Sequence, residues 1–319
     1  MKVLLKNFFS ITILFISIYL IYYYLDRKDY ITFFTKLSLF EWITISTLGW
    51  LIMILTTIIT FDLRIPDKKK SIKEIITYPL LQSLWGYLIP FQGSVIFSLF
   101  FFKKVHNLSV VKSLSVNLFF LFISFILTGI FGLFYLMTNN VENIYLLFIF
   151  ILFLLIGFFP YFYKVIRPRF KNVEFRIFKK LFINFDGIFL GIQESFKLTI
   201  ENKKILSTYV LRLFLLIGWY YLIVRFLNFE IYLSEVIILY LFLELSIILK
   251  ITPGNWGIQQ IIVGFVFTAI NKPPEFAIIV TTTALISIFF LTFTIGLVAN
   301  FFFLKSIKIN SLKSIFSKI

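Results

Sequence analysis

Apolar stretches of about 20 residues alternate with short basic loops along almost the whole chain, which is the spacing of helices that cross a hydrocarbon core about 30 Å thick at about 1.5 Å per residue. The pattern predicts spans over residues 4–24, 40–61, 113–137, 144–163, 205–227, 231–249 and 276–304. Met1, Lys2 and Lys6 precede the first run, which is too long for a signal-peptide core and lacks a small-x-small cleavage site, so it is expected to be a retained span. The chain reads as one integral membrane domain over residues 1–319, all-α and polytopic.

Two further apolar segments, residues 80–102 and 245–270, are broken by Pro and Gly. The first carries Gln82 and then Pro90, Gln92, Gly93 and Ser94. The second carries Lys250 at its mouth and then Thr252, Pro253, Gly254, Asn255, Gly257, Gln259 and Gln260. An unpaired backbone N–H or C=O in hydrocarbon costs several kcal/mol, so a broken helix persists at membrane depth only where protein or a wet cavity covers it. Paired breaks in the two halves of a polytopic chain point to a binding site of the transporter type. Helix starts at Gly93–Ser94 and at Asn255–Gly257 would aim free N–H groups into the membrane interior, which suits an anionic group such as a lipid phosphate. The competing reading is that these polar groups only satisfy the backbone that Pro and Gly leave unpaired.

Charge decides the topology. The net charge is +16, yet Lys and Arg sit almost entirely between apolar runs, as the positive-inside rule requires, and nucleic acid is excluded as a partner. The loop from Arg64 to Lys73 with Lys68, Lys69 and Lys70, the stretch around Lys103, Lys104 and Lys112, and the basic connector over residues 164–204 all belong on the cytoplasmic side. Both flanks of the first broken segment are then cytoplasmic, so residues 75–102 are expected to enter and return as a re-entrant hairpin that turns at Pro90 and Gly93. Tail residues Lys305, Lys308, Lys313 and Lys318 favour the cytoplasm too, giving about eight crossings of the cytoplasmic membrane plus the hairpin, with both termini on the cytoplasmic side. If the second broken segment turns back instead, the count falls by one and the tail lies outside. In the connector, Phe175, Phe178, Phe182, Phe185 and Phe189 recur at helical spacing among basic residues, so it either lies in the headgroup layer or caps the bundle.

Ionisable residues inside spans are costly and are usually functional or paired. Arg212 lies about 10 Å into its span and Glu244 about 9 Å from the same face in the next, antiparallel span. The two can pair, although an Arg at that depth can also reach back to the interface. Zero Cys and the single His106 remove disulfides, thiolate nucleophiles and His-cluster metal sites, and His106 beside Lys103 and Lys104 reads as a solvated loop residue. No Gly-rich phosphate loop, paired acids at metal spacing or Ser/His/Asp set is present, so no catalytic residues, metal or cofactor are expected.

At the two broken segments the sequence resembles the lysylphosphatidylglycerol synthase transmembrane-region family, often called flippase-like. The run from Thr252 to Gln260 is similar to the family's Pro-Gly-Gly/Asn-x-Gly-Val/Ile-Arg/Gln-Glu pattern, and Pro90-Phe91-Gln92-Gly93-Ser94 to its Pro-x-x-Gly-Glu pattern with a trailing basic Leu-Ser stretch. Ser94 stands where the family commonly has Glu, Phe97 near its Arg, and Gln260 at its final Glu, while Asn117 falls where members often carry charged residues. The resemblance implies movement of a charged or glycosylated lipid between leaflets for some members, with aminoacyl transfer confined to a separate soluble domain that this sequence lacks. Three functions stay open: a lipid translocase lined by the two breaks, a non-catalytic membrane partner of a lipid or glycan biosynthetic enzyme, and an intramembrane lipid-linked transferase. The expected ligands are membrane lipids, anionic or glycosylated, and a homo-oligomer is compatible with the composition.

Overall fold

The computed structural model describes residues 36–66, 70–89, 92–139, 141, 143–170, 176–246 and 252–306, with side chains for all of these except 164–170, 176–184, 253 and 303–306. The predicted span over residues 4–24, together with Lys68, Lys69, Pro90, Lys250 and the tail residues Lys308, Lys313 and Lys318, lies outside the described residues.

The described residues are all-helical. They form α1 (Leu39–Arg64), α2 (Ile72–Leu88), α3 (Gly93–Val105), α4 (Val110–Thr138), α5 (Ile144–Phe170), α6 (Arg176–Glu201), α7 (Lys203–Phe226), α8 (Leu233–Ser246), α9 (Ile258–Ala269) and α10 (Pro274–Ser306), with a short 3-10 turn at Pro253–Asn255. Five of them (α1, α4, α5, α7 and α10) are long and apolar enough to cross a membrane. Phe148, Phe214, Phe265, Phe290 and Phe301 project from the outside of the bundle, a surface suited to lipid. The second broken run divides into α8, of 14 described residues, and α9, of 12. At 1.5 Å per residue the described part of α8 is about 21 Å long and α9 about 18 Å, the latter short of a full crossing on its own.

Local chemistry sets the boundaries. Ser38 caps α1 in a reciprocal box with Glu41, its backbone N–H donating to Glu41 Oε2 at 2.7 Å. Ser109 Oγ accepts from Lys112 N at 3.2 Å to start α4, and Asn202 Oδ1 accepts from Lys204 N at 3.0 Å to separate α6 from α7. Within the spans, threonine hydroxyls such as Thr281 and Thr283 bond back to carbonyls four residues earlier, which removes a polar group that lipid cannot solvate. Close approach relies on small residues: a Cβ on Gly132 of α4 would stand 2.3 Å from the Phe150 ring of α5.

Contacts between loops define two ends of the bundle. At one end, Lys70 pairs with Asp62, and His106 Nε2 lies 3.8 Å from Glu74 Oε1, so the end of α1, the start of α2 and the end of α3 come together. At the other, Lys272 Nζ lies 2.9 Å from Glu235 Oε1 and Asn143 Nδ2 donates to Ala269 O at 3.3 Å, which gathers the start of α8, the start of α5 and the end of α9. The α2–α3 hairpin therefore opens to the first end and α8–α9 to the second. The end of α9 thus lies beside the start of α8, and α10 then runs along α2, where Trp85 Nε1 donates to Asn300 Oδ1 at 3.2 Å.

Two sequence expectations need correction here. His106 is not a solvated loop residue: its side chain is 9% exposed and is ringed by Phe61, Phe101 and Phe102. Arg64 is not in the loop but closes α1, fully buried. The described part of the connector helix α6 packs on the bundle, Phe196 against Phe119 at 4.8 Å and Phe189 stacked on Tyr163 at 4.4 Å, while Phe185 stays exposed.

Candidate functional site

The hairpin tip follows from a left-handed turn. Ile89 N donates to Trp85 O at 2.9 Å, Gln92 adopts φ 68°, and Val95 and Ile96 N–H groups donate to Gln92 O at 2.8 and 3.0 Å to open α3. Gly93 is obligatory, since a Cβ there would sit 2.3 Å from Trp85 O. Ser94 is buried facing Gly86, and Gln82 is half-buried on α2.

The second break holds Gly254 at φ 62°, Asn255 at φ 62° and Gly257 at φ 83°. Its polar side chains serve its own backbone. Thr252 Oγ1 donates to Trp256 O at 2.7 Å, and Asn255 Nδ2 donates to Ser246 O and Ser246 Oγ, both at 3.2 Å. Gln260 Oε1 accepts from Gly257 N at 2.8 Å while its Nε2 donates to Thr282 Oγ1 of α10 at 3.3 Å. Gln260 is fully buried, Gln259 is half-buried, and Asn255 Oδ1 is buried with no partner among the described residues. This part of the segment is closed and packed.

The two breaks touch. Gly254 lies under the Tyr87 ring of α2 so closely that a Cβ on it would stand 2.3 Å from Tyr87 Cδ1. Tyr87 in turn packs edge-on to Phe289 of α10 at 5.0 Å. The tip of a hairpin entering from one end therefore meets the kink of a segment entering from the other, and Gln92, Gly93, Ser94, Gly254, Asn255 and Gly257 are the residues at those two tips.

Arg212 and Glu244 do pair. Arg212 Nη2 donates to Glu244 Oε1 at 2.8 Å and Arg212 Nε donates to Thr56 Oγ1 at 2.8 Å, tying α7, α8 and α1 together. The Arg212 side chain is 8% exposed, so it does not reach back to the interface. Counted from Lys203, Arg212 lies about 14 Å into α7, well inside the apolar part of the helix.

A second buried arginine escaped the sequence reading. Arg64 Nη1 donates to Ser98 Oγ at 2.6 Å, and its Nη2 donates to Asn117 Oδ1 at 2.6 Å and to Ser113 O at 3.0 Å. Its guanidinium lies 4.2 Å from the centre of the Phe102 ring, and Tyr78 OH donates to the same Ser98 Oγ at 2.8 Å. A signal was present: no Pro or Gly separates Arg64 from the apolar run before it, and the first breaker is Pro66. An apolar groove between α1 and α10, lined by Trp42, Ile43, Ser46, Thr47, Ser287 and Phe290, touches neither break.

Comparison with curated proteins and with solved structures finds no match. The family described as "Lysylphosphatidylglycerol synthase TM region" matches residues 7–296, nearly the whole chain. On that match, and on five membrane-length helices, the chain belongs to the lysylphosphatidylglycerol synthase transmembrane-region family, and is a multi-pass membrane protein of lipid metabolism or transport.

Proposed function

We propose that this protein is a lipid translocase that carries an anionic or glycosylated headgroup between leaflets along the junction of its two breaks. One observation carries the reading: the Tyr87–Gly254 contact, where segments from opposite ends of the bundle meet. Both would be re-entrant, the hairpin from the cytoplasmic face and the α8–α9 kink from the other. The lysines at the hairpin's open end, Lys70, Lys73, Lys103, Lys104 and Lys112, support that orientation in the cytoplasmic membrane. The arrangement described is closed. For a headgroup to pass, Tyr87 must lift from Gly254, and the backbone N–H groups at the starts of α3 and α9 would then face the path.

A second reading rests on the packing of the break. Thr252, Asn255 and Gln260 bond the break's own backbone and are buried, as expected of a non-catalytic partner that uses polar breaks as helix-to-helix contacts within a lipid or glycan biosynthetic machine. Reconstitution separates the two. The translocase speeds inter-leaflet exchange of a fluorescent anionic or glycosylated lipid in proteoliposomes, and substitution at Gly257 or Gln260 slows it. No exchange across a panel of anionic, zwitterionic and glycosylated lipids rejects the translocase and leaves the partner reading.

A further inference from the structure

The two buried arginines differ in one respect. Arg212 has a carboxylate, Glu244, at 2.8 Å. Among the described residues Arg64, fully buried, has only neutral hydrogen-bond acceptors, Ser98 Oγ, Ser113 O and Asn117 Oδ1, while Asp62, two residues earlier, pairs with Lys70. An ionised group removed from water without an opposite charge is costly by several kcal/mol, and deleting a partner charge is among the most damaging changes a buried site can suffer. Helix-to-helix adhesion alone does not call for a bare cation, because neutral groups make the same bonds without that cost.

Three side chains that touch one another here keep an unused donor: Arg64 Nε, Ser113 Oγ and Asn117 Nδ2 are buried without a hydrogen-bond partner among the described residues, and Asp62 Oδ2, two residues earlier on α1, is a buried acceptor without one. A cation surrounded by surplus donors is matched to an oxyanion. The site also has a cover. Ser98, Tyr78 and Phe102 all belong to the α2–α3 hairpin; Ser98 Oγ accepts from the guanidinium, and Tyr78 interacts with it as well. Arg64 closes α1, and Ser113 and Asn117 lie about 5 and 10 Å into α4, so the cluster sits close to the helix ends, within reach of the headgroup layer.

We propose that Arg64, Ser113 and Asn117 form a binding site for a phosphate group, closed in this structure by Ser98 of the hairpin and opened when the hairpin moves away. Phosphate displaces Ser98 from Arg64 Nη1 and takes the donors of Nε, Ser113 and Asn117. The inference deepens the translocase reading and rests on it only for lipid as the source of the phosphate. Binding is scored without exchange, so each can fail alone.

The test is a titration of the full chain in neutral detergent, following its unfolding temperature with dioleoylphosphatidylglycerol, with inorganic phosphate and with a phosphate-free galactosyldiacylglycerol. Stabilisation by phosphatidylglycerol but not by inorganic phosphate assigns the site to a lipid headgroup, and stabilisation by inorganic phosphate as well assigns it to the free ion; both support an oxyanion site. Arg64→Gln is expected to weaken that binding at least about tenfold, as loss of a charged hydrogen-bond donor does. Ser98→Ala, which keeps every proposed ligand and removes the closing bond, is expected to tighten it by about tenfold, because the binding-competent state becomes more populated. A merely structural arginine gives the opposite pattern: Ser98→Ala lowers the unfolding temperature and leaves the affinity alone. If Arg64→Gln does not fold, Ser98→Ala decides. Equal stabilisation by the galactolipid, none by either phosphate, or unchanged affinity in Ser98→Ala overturns the proposal.

Discussion

Arg212→Ala is the most informative stability experiment on this fold. The change removes the Nη2 bond to Glu244 and the Nε bond to Thr56, and leaves the Glu244 carboxylate, 13% exposed, unpaired inside the bundle. Breaking a buried pair from one side costs about 3–5 kcal/mol, because the remaining charge stays buried. Exposure near one tenth on both sides leaves little solvent to screen the pair, so the discount applied to surface ion pairs does not enter. Glu244→Gln keeps an acceptor for Arg212 and should cost less, about 1–3 kcal/mol. The exchange of the two residues restores opposite charges but leaves Thr56, whose hydroxyl already donates to Ile52 O at 2.8 Å, facing a carboxylate; about 1–2 kcal/mol should remain lost. The apolar double variant Arg212→Met/Glu244→Leu should fall within about 1 kcal/mol of the parent, since the cost of stripping both charges of water vanishes with them. Unfolding in mixed detergent micelles at graded SDS fraction reads all four on one scale. Arg212→Ala below about 1 kcal/mol, or an apolar pair as damaging as either single change, would refute a dry, mutually dependent pair. If the apolar pair is stable but lipid exchange is lost, the charges serve transport rather than cohesion.

Other outcomes follow from the same geometry. Gly93→Ala drives a Cβ to 2.3 Å from Trp85 O and should destabilise the protein by about 2 kcal/mol or more, whereas Gly218→Ala, with nothing within 4 Å, should be neutral or mildly stabilising; equal thermal shifts would dismiss the hairpin turn. Gln260→Ala removes both the acceptor for Gly257 N and the bond to Thr282, and should cost about 1–2 kcal/mol in the same unfolding assay, with no change meaning that the cap is not formed. Because the chain has no cysteine, Ser71→Cys and Asn107→Cys can each be labelled alone in sealed vesicles, and both should react from the same face; opposite faces would end the re-entrant reading.

Much of the fold was legible because lipid leaves few options. Long runs became α1, α4, α5, α7 and α10 with boundaries a few residues from those expected, since each apolar run must close its own backbone bonds. Gly93 and Gly254 were legible as breaks because turns of this kind need a residue without Cβ, and the Arg212–Glu244 pair because matched depth on neighbouring spans brings charges together. The rest depends on tertiary packing. Arg64 stood at the edge of a run, where hydropathy assigns charge to a loop, and its burial is created by the hairpin folding over it. His106 was read as solvated for the same reason, while Phe61, Phe101 and Phe102 enclose it. Nor does periodicity reveal that Tyr87 lands on Gly254, a contact between segments far apart in the chain.

That contact is open to a single decisive measurement: oxidative or short-linker cross-linking of Tyr87→Cys with Trp256→Cys, the two rings that close on Gly254, in native membranes, with Glu74→Cys and His106→Cys as the reference pair at the hairpin's open end. Meeting tips give efficient cross-links in both pairs. Cross-linking of the reference pair alone would show that the two breaks do not meet.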